Sequence, residues 1–370
     1  MTVRTVLWDA KPHTLAKHEI LRRYLGAWFN ILCKTFRHAV YIDGYCGPGE
    51  YKGGEPGSPV IALDIAESCE QCRNSQLSFY FIDDTKSRIN NLNKVLAGKQ
   101  CRLASSIAVL HGDFADQVQP VLNMLPDRKQ STIPVFSFLD PFGVCIPLSI
   151  IQRLLSKPSS EAFIYFSALD AIRNVHNESE RNRLDAAFGT CGYAEAAHAG
   201  DKKALLDLYM QQLKKSAEFL IRFEMRDTAS SELYSLIFAS NSEDGFYKMK
   251  EAMWSVSNAG VFAFTDAYSE NQPALFGSDE PAVQAARDLI VKRLVGKGKA
   301  KCFIIRRFIK YESYYLEKHM NAALIQLESE KLLVTCNEKE LEPRRRKNFF
   351  PDELDIIIHS QPQGQNLLKF

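Results

Sequence analysis

Asp43 stands between an apolar run, Ala39-Val-Tyr-Ile42, and the spaced glycines Gly44, Gly47 and Gly49 of Tyr41-Ile-Asp-Gly-Tyr-Cys-Gly-Pro-Gly-Glu-Tyr51. An acid and glycines at a strand end let the backbone turn sharply and approach a ligand closely. Later apolar runs end in a similar way. Leu77 to Ile82 leads into Asp83-Asp84, where a carboxylate can accept hydrogen bonds from ribose hydroxyls. Ile107 to Leu110 leads into His111-Gly-Asp-Phe114, where Asp113 can take an adenine amino group while the Phe114 ring packs on the base. Pro134 to Leu139 leads into Asp140-Pro-Phe-Gly143. Singly, such an acid is most often a turn former or a helix cap. In succession, they indicate a nucleotide-like ligand held across the strand ends. Lys17-His18 opens an amphipathic segment and lies either over the cofactor or substrate, or on a solvated helix face.

Alternating elements must position these residues. Ile20, Leu21, Tyr24, Leu25, Trp28, Phe29 and Leu32 recur at helical spacing, predicting a helix from about 14 to 35. Ser58-Pro59 predicts a helix start, with Ser as cap and Pro in the first turn. A helix over 86 to 96, a strand at Ala162 to Phe166, and strands at Phe219 to Phe223 and Leu233 to Ser240 complete an α/β sheet covered on both faces. The polar stretch from about 168 to 215 reads as a helical insertion. A Gly- and Pro-containing stretch from 272 to 281 marks a boundary, giving domains 1–277 and 278–370. In the second, helices at Ala282 to Leu294, Cys302 to Tyr311 and Tyr314 to Glu328 precede two strands, Lys331 to Thr335 and Asn348 to Phe350. That order is a winged helix-turn-helix pattern.

Composition is that of an ordinary globular protein, 46% hydrophobic and 24% charged over 370 residues. No apolar run reaches the roughly 18 to 20 residues that span a bilayer, and no signal-peptide core opens the chain. Nine scattered cysteines suit reduced thiols, so a cytoplasmic protein is expected. Cys69-Glu-Gln-Cys72 has no second pair at zinc-site spacing and reads as helix-borne thiols, so no metal site is expected.

The succession of strand-end acids resembles the class I methyltransferases that use S-adenosylmethionine. Nicotinamide dehydrogenases fit less well, because Gly-Tyr-Cys-Gly-Pro-Gly lacks their third-glycine pattern. Asp140-Pro-Phe-Gly143 resembles the Asp/Asn-Pro-Pro-Tyr/Phe tetrapeptide of methyltransferases acting on the exocyclic nitrogen of adenine. It departs in having one proline, and glycine at the aromatic place unless Phe142 serves there. The resemblance implies that Asp140 and the Pro141 carbonyl accept the amino hydrogens and Phe142 stacks on the base, so catalysis is mainly positioning. The alternative is a turn after a buried strand.

A sharper resemblance covers nearly the whole chain. The glycine segment, Gly54-Glu-Pro-Gly-Ser-Pro59, Leu139-Asp-Pro-Phe-Gly143, Leu236-Ile-Phe-Ala-Ser-Asn241, Met249-Lys-Glu-Ala-Met-Trp254 and Thr14-Leu-Ala-Lys-His-Glu-Ile-Leu-Arg-Arg-Tyr-Leu25 look like the three-Cys-motif partner (TcmP) family. That family name implies a partner with a three-cysteine motif, similar to radical S-adenosylmethionine enzymes. The glycine loop and Lys-His helix also resemble adenine-N6 methyltransferases of large-subunit ribosomal RNA.

From Lys292 to Lys347 there are fifteen Lys/Arg against seven Asp/Glu. Arg306, Arg307, Lys310 and Lys318 fall on predicted helices, and Arg344-Arg345-Arg346-Lys347 on the wing. Such residues suit phosphate contacts in RNA or DNA; the alternatives are a solvated surface or a protein-docking wing. The sequence thus leads to a nucleic-acid methyltransferase using S-adenosylmethionine, held by Lys17, His18, Asp43, Gly44, Gly47, Gly49, Asp83, Asp113 and Phe114. A non-catalytic, methyltransferase-like adaptor that binds nucleic acid and recruits the three-Cys-motif partner is the second reading, and a nucleotide-binding enzyme of another reaction type the third.

Overall fold

In a computed structural model of the chain, the described residues are 6–99, 102, 106–125, 132–141, 143, 146–156, 159–227, 232–257, 262–266, 279–336, 346 and 348–361. They form two compact units, Met1–Val256 with Ala263–Asn271, and Ser257–Phe262 with Gln272–Phe370.

The first unit is built on strands β1 (His38–Gly44), β2 (Gln76–Asp83), β3 (Ile107–His111), β4 (Val135–Leu139), β5 (Ser160–Phe166), β6 (Phe219–Arg226), β7 (Glu232–Ser240) and β8 (Ala263–Thr265). They lie in the order β3-β2-β1-β4-β5-β7-β6-β8. Neighbours from β3 to β5 pair in parallel, and β7 runs antiparallel to both β5 and β6. Every residue of β4 is buried, as expected of a sheet covered on both faces. Strand order reverses between β1 and β4, and a ligand in such a sheet sits outside the carboxyl ends at that point. Register aligns the ends, with Gly44 opposite both Ile82 and Leu139.

The helices are α1 (Pro12–Thr35), α2 (Ser58–Ser68), α3 (Lys86–Ala97), α4 (Phe114–Met124), α5 (Leu148–Leu155), α6 (Ala168–Asn174), α7 (Glu178–Phe188), α8 (Tyr193–His198), α9 (Lys202–Lys214) and α10 (Glu243–Trp254). Pro12 sits in the first turn of α1, where its missing N–H is harmless, and Ile20, Leu21, Tyr24, Leu25, Trp28 and Phe29 form the buried stripe. Tyr24 donates to Glu161 on β5 at 2.5 Å, and Ser240 on β7 donates to the same carboxyl at 2.9 Å. Burial pushes the Glu161 pKa up to about 7 against these bonds. The stretch expected as an insertion forms α6 to α9, the crossover from β5 to β6. Leu184, Phe188, Leu205, Tyr209 and Leu213 share one core with Ile164 and Phe166 of the sheet. Cys72 lies on a short 3-10 turn, Glu70–Asn74, with its sulfur 3.0 Å from that of Cys33.

The second unit holds α11 (Glu280–Leu294), β9 (Ala300–Lys301), α12 (Cys302–Glu312), α13 (Glu317–Ser329), β10 (Leu333–Cys336) and β11 (Asp355–Ile358). Ile290, Ile305, Ile309, Met320, Leu324, Leu327 and Ile356 make its core. The sheet order is β10-β11-β9. The strand expected at 348–350 lies instead at 355–358. Phe350 is buried without joining a strand, whereas β-branched Ile356-Ile-Ile358 pairs antiparallel with β10. Among the described residues, no helix is long and apolar enough to cross a membrane.

Candidate active site

After β1 the chain turns through Tyr45, Cys46 and Gly47. Tyr45 and Cys46 donate their N–H groups to the Ile82 carbonyl at 2.8 and 3.0 Å. Gly47 donates its N–H to Asp83 Oδ2 at 3.0 Å. The other oxygen of Asp83 accepts from the Thr85 N–H at 2.8 Å, and the Arg88 guanidinium stands 3.6 Å away. Asp83 is 2% exposed. Its carboxylate therefore clasps the turn, and the ribose contact expected of it is already taken up by protein donors. Asp84 beside it is exposed and accepts from the Thr85 hydroxyl at 2.9 Å.

Gly44 is required by a close approach, since a Cβ there would lie 2.7 Å from the Phe114 ring. Phe114 is buried in the core beneath it, so its ring does not pack on a base as the sequence suggested. Asp113 caps α4, accepting the Ala115 N–H at 2.8 Å through Oδ1, and stays exposed. Gly49 has φ +87°, and a side chain there would meet Leu92 at 2.7 Å. Its carbonyl accepts the Gly57 N–H at 2.8 Å, so the two glycines of the paired motifs lie back to back. Gly57 occupies the cap position of α2. Ser58 is therefore inside the first turn and does not cap it. Instead its side chain hydrogen-bonds Asp43.

Asp43 is fully buried. Tyr41 donates to its Oδ2 at 3.1 Å, and Oδ1 has no hydrogen-bond partner by geometry among the described residues. Burial pushes its pKa up to about 8; the Ser58 and Tyr41 side chains oppose the shift, and Asp140 and Asp83 add to it. Beside it, Ser58 lines a cavity whose wall does not include Asp43.

That cavity has a volume of about 360 Å³ and lies at the carboxyl ends of β1, β4 and β5. This is within the size range of small-molecule sites. Gly47, Gly49 and Tyr51 form one wall, Lys17 and His18 of α1 another, and Asp140, Pro141 and Gly143 a third. Lys17 donates to Asp140 Oδ2, joining α1 to the end of β4. Both Lys17 and His18 are 6% exposed, so neither lies on a solvated helix face. Burial, then Lys17 and Arg22, push the His18 pKa down to about 3, leaving a neutral ring 3.5 Å from the Tyr51 hydroxyl. The Pro141 carbonyl accepts the Gly143 N–H at 3.1 Å. Phe142 lies outside the described residues. A side chain on Gly143 would meet the Asp170 carboxyl at 2.7 Å, a packing reason for the glycine that ends this tetrapeptide.

The remaining wall holds residues that sequence reasoning missed. Tyr165 of β5 and Tyr234 of β7 pack with ring centroids 4.6 Å apart. Burial, then Asp140, push the Tyr165 pKa up to about 12, so its hydroxyl keeps its proton. Trp8, His13 and Arg173 also line the space. Tyr165 is hidden in the apolar run Ala162-Phe-Ile-Tyr-Phe166, where only its polar tip distinguishes it. The donor set suits S-adenosylmethionine. Lys17 and Arg173 offer cations for a carboxylate, and the tyrosines and Trp8 π faces for a sulfonium.

Three of the basic residues singled out in the second unit pair with its own carboxylates. Arg306 donates to Asp352, Glu317 and the Phe350 carbonyl, each at 2.7 Å. Lys310 pairs with Glu317 at 2.5 Å, and Lys318 with Asp279 at 2.6 Å. These residues are thus paired with carboxylates of the same unit. Arg307 lies over the Tyr311 ring at 5.8 Å. Arg346 is exposed, while Arg344, Arg345 and Lys347 lie outside the described residues.

No protein-family model and no curated protein matches this sequence. Solved structures align with it at low identity. Human methyltransferase-like protein 13 in complex with SAH aligns at 10% identity over 67% of this chain and 92% of that one, with TM-score 0.33. Precorrin-6y C5,15-methyltransferase of Geobacter metallireducens GS-15 aligns at 10% identity over 59% and 87%, with TM-score 0.29. DszA carbon methyltransferase aligns at 10% identity over 63% of this chain, which spans 55% of that protein, with TM-score 0.37. Nothing about reaction or substrate carries over at such similarity. The strand order, with β7 antiparallel between β5 and β6, is itself that of a class I S-adenosylmethionine-dependent methyltransferase-like fold.

Proposed function

We propose that this chain is an S-adenosylmethionine-dependent methyltransferase whose acceptor is an exocyclic amino group of a nucleic-acid base, adenine foremost. The observation that carries the reading is one cavity, at the reversal of strand order, shared by the glycine turn and the Lys17–Asp140 pair. The cofactor, when bound, supplies the electrophilic methyl group. The Gly47 to Gly49 backbone lets it approach the turn. Asp113 keeps one carboxylate oxygen beyond its helix-capping bond for an adenine amino group.

Asp140 uses one oxygen for Lys17, and the other is left for an amino hydrogen. The Pro141 carbonyl retains its second lone pair beyond Gly143. Together they turn the nitrogen lone pair toward the methyl carbon, so positioning supplies most of the rate. The second unit is read as a winged helix whose wing, β10 and β11 with Arg344 to Lys347, follows the polynucleotide backbone.

A second reading is favoured by the pairing of Arg306, Lys310 and Lys318 to carboxylates. It makes the chain a non-catalytic adaptor whose wing docks a three-Cys-motif, radical-enzyme-like partner. Transfer of a labelled methyl group to RNA and DNA pools separates the two. Transfer is expected, and Asp140→Ala should abolish it while S-adenosylmethionine affinity persists; full transfer by that variant would refute the acceptor assignment. Charge reversal at Arg344 to Arg346 should weaken nucleic-acid binding and flatten its salt dependence. Unchanged affinity would favour the docking wing.

A further inference from the structure

His13, in the first turn of α1, and Asp266, just past β8, are 253 residues apart in sequence and share a hydrogen bond of 2.8 Å between Nδ1 and Oδ2. Their side chains are 17% and 14% exposed, so the pair is largely shielded from water. The His13 ring lines the same cavity as Lys17, Asp140 and Tyr165. Two contacts fix its place. The Tyr234 ring meets it edge-on at 5.8 Å, and the Tyr234 hydroxyl donates to the His13 carbonyl at 3.5 Å. Nδ1 is taken by Asp266 and Nε2 has no hydrogen-bond partner among the described residues, on a side chain that lines the cavity.

A carboxylate only accepts hydrogen bonds, so Asp266 holds the proton of the imidazole on Nδ1 and leaves the lone pair on Nε2. That is the arrangement by which a carboxylate orients a histidine base and steadies the imidazolium formed when it takes a proton. Asp140 is poorly suited to the same task. One of its oxygens is already held by Lys17, and it serves to position the acceptor.

We infer that His13 is the proton acceptor of this site, with Asp266 as its positioning residue, a role that rests on the methyltransferase reading above. The acceptor nitrogen forms its bond to the methyl carbon as the carbon–sulfur bond breaks, and that electron pair stays on sulfur. The proton then shed by the nitrogen passes to His13 Nε2. Asp140 positions, and His13 removes the proton.

Nitrogen-15 spectra of the full chain labelled at histidine test the geometry without turnover. The His13 signal is identified by its loss in His13→Gln, and the proton is expected on Nδ1, with the tautomer mixing in Asp266→Asn. A proton on Nε2 would overturn the inference even if the variants fold poorly. With total RNA as methyl acceptor, His13→Gln should lower kcat by roughly 100-fold or more, the usual scale for a general base. KM for S-adenosylmethionine should stay within about twofold, and Asp266→Asn should fall in between. Wild-type kcat in His13→Gln would likewise overturn it. Failure of the wild type to bind S-adenosylmethionine would remove the methyltransferase reading and the proton-transfer role with it, a result the tautomer does not depend on.

Discussion

The ends of β1 and β2 and the ends of β3 and β4 carry the same residue, aspartate, at two depths. Asp43 and Asp83 are buried, and their oxygens serve Tyr41, Ser58, Gly47, Thr85 and Arg88. Asp113 and Asp140 sit farther out, and each has one oxygen engaged, by the Ala115 N–H and by Lys17. The inner pair builds the turn, and the outer pair is left with capacity for a ligand. Depth is what separates the roles: Asp83 is satisfied by protein donors, while burial leaves Asp43 Oδ1 unpartnered among the described residues and favours its protonated form.

Breaking the inner pair should cost stability most. Asp83→Ala strands the Gly47 N–H and removes the carboxylate beside Arg88, and a loss of about 2–3 kcal/mol is expected in urea unfolding. A loss under about 1 kcal/mol would place Asp83 with the outer pair. Asp140→Asn keeps an oxygen for Lys17 and should cost less, about 1–2 kcal/mol, while lowering methyl transfer by roughly 100-fold, read from kcat with cofactor affinity held. An equal loss of stability would move Asp140 inward.

Asp43 sharpens the contrast through pH. Its folded pKa, about 8, lies above the ordinary carboxylate value, so the folded state holds a proton that the unfolded chain has released. Stability should therefore fall as pH rises from about 4 to about 8. Glu161, pushed up to about 7, adds a slope of the same sign. Asp43→Asn should flatten the thermal-unfolding profile over that range, and an unchanged slope would contradict the buried state of this carboxyl. The smallest effect belongs to Asp113→Ala, where loss of the α4 cap should cost about 1 kcal/mol, accompanied by weaker S-adenosylmethionine binding. Unchanged binding would make it a cap alone.

Much of the fold is legible in the chain, because it rests on periodicity. The stripe from Ile20 to Phe29 and the apolar runs of β1 to β5 read directly as elements, since burial repeats with the backbone period. Short or interrupted elements were not legible. Ala263 to Thr265 is too brief to show a pattern, and the last strand lies at Asp355–Ile358, where it pairs with Leu333–Cys336, rather than at the apolar Phe349-Phe350. For the site, residue types located the strand-end acids but not their depth. Phe114 reads as a stacking ring, yet Gly44 leaves room for it in the core. His13 and Asp266 were illegible because their partnership spans 253 residues and neither belongs to a local motif. Arg306 reads as a free cation until α12, α13 and the segment before β11 bring its three acceptors together.

The most direct measurement is a calorimetric titration of the wild type with S-adenosylmethionine, run beside Asp113→Asn and Asp140→Asn. A saturable heat is expected from the wild type, with affinity reduced in Asp113→Asn and kept in Asp140→Asn. No heat from the folded wild type, or equal affinity in all three proteins with no transfer by any of them, would contradict the assignment of the outer acids to cofactor and acceptor.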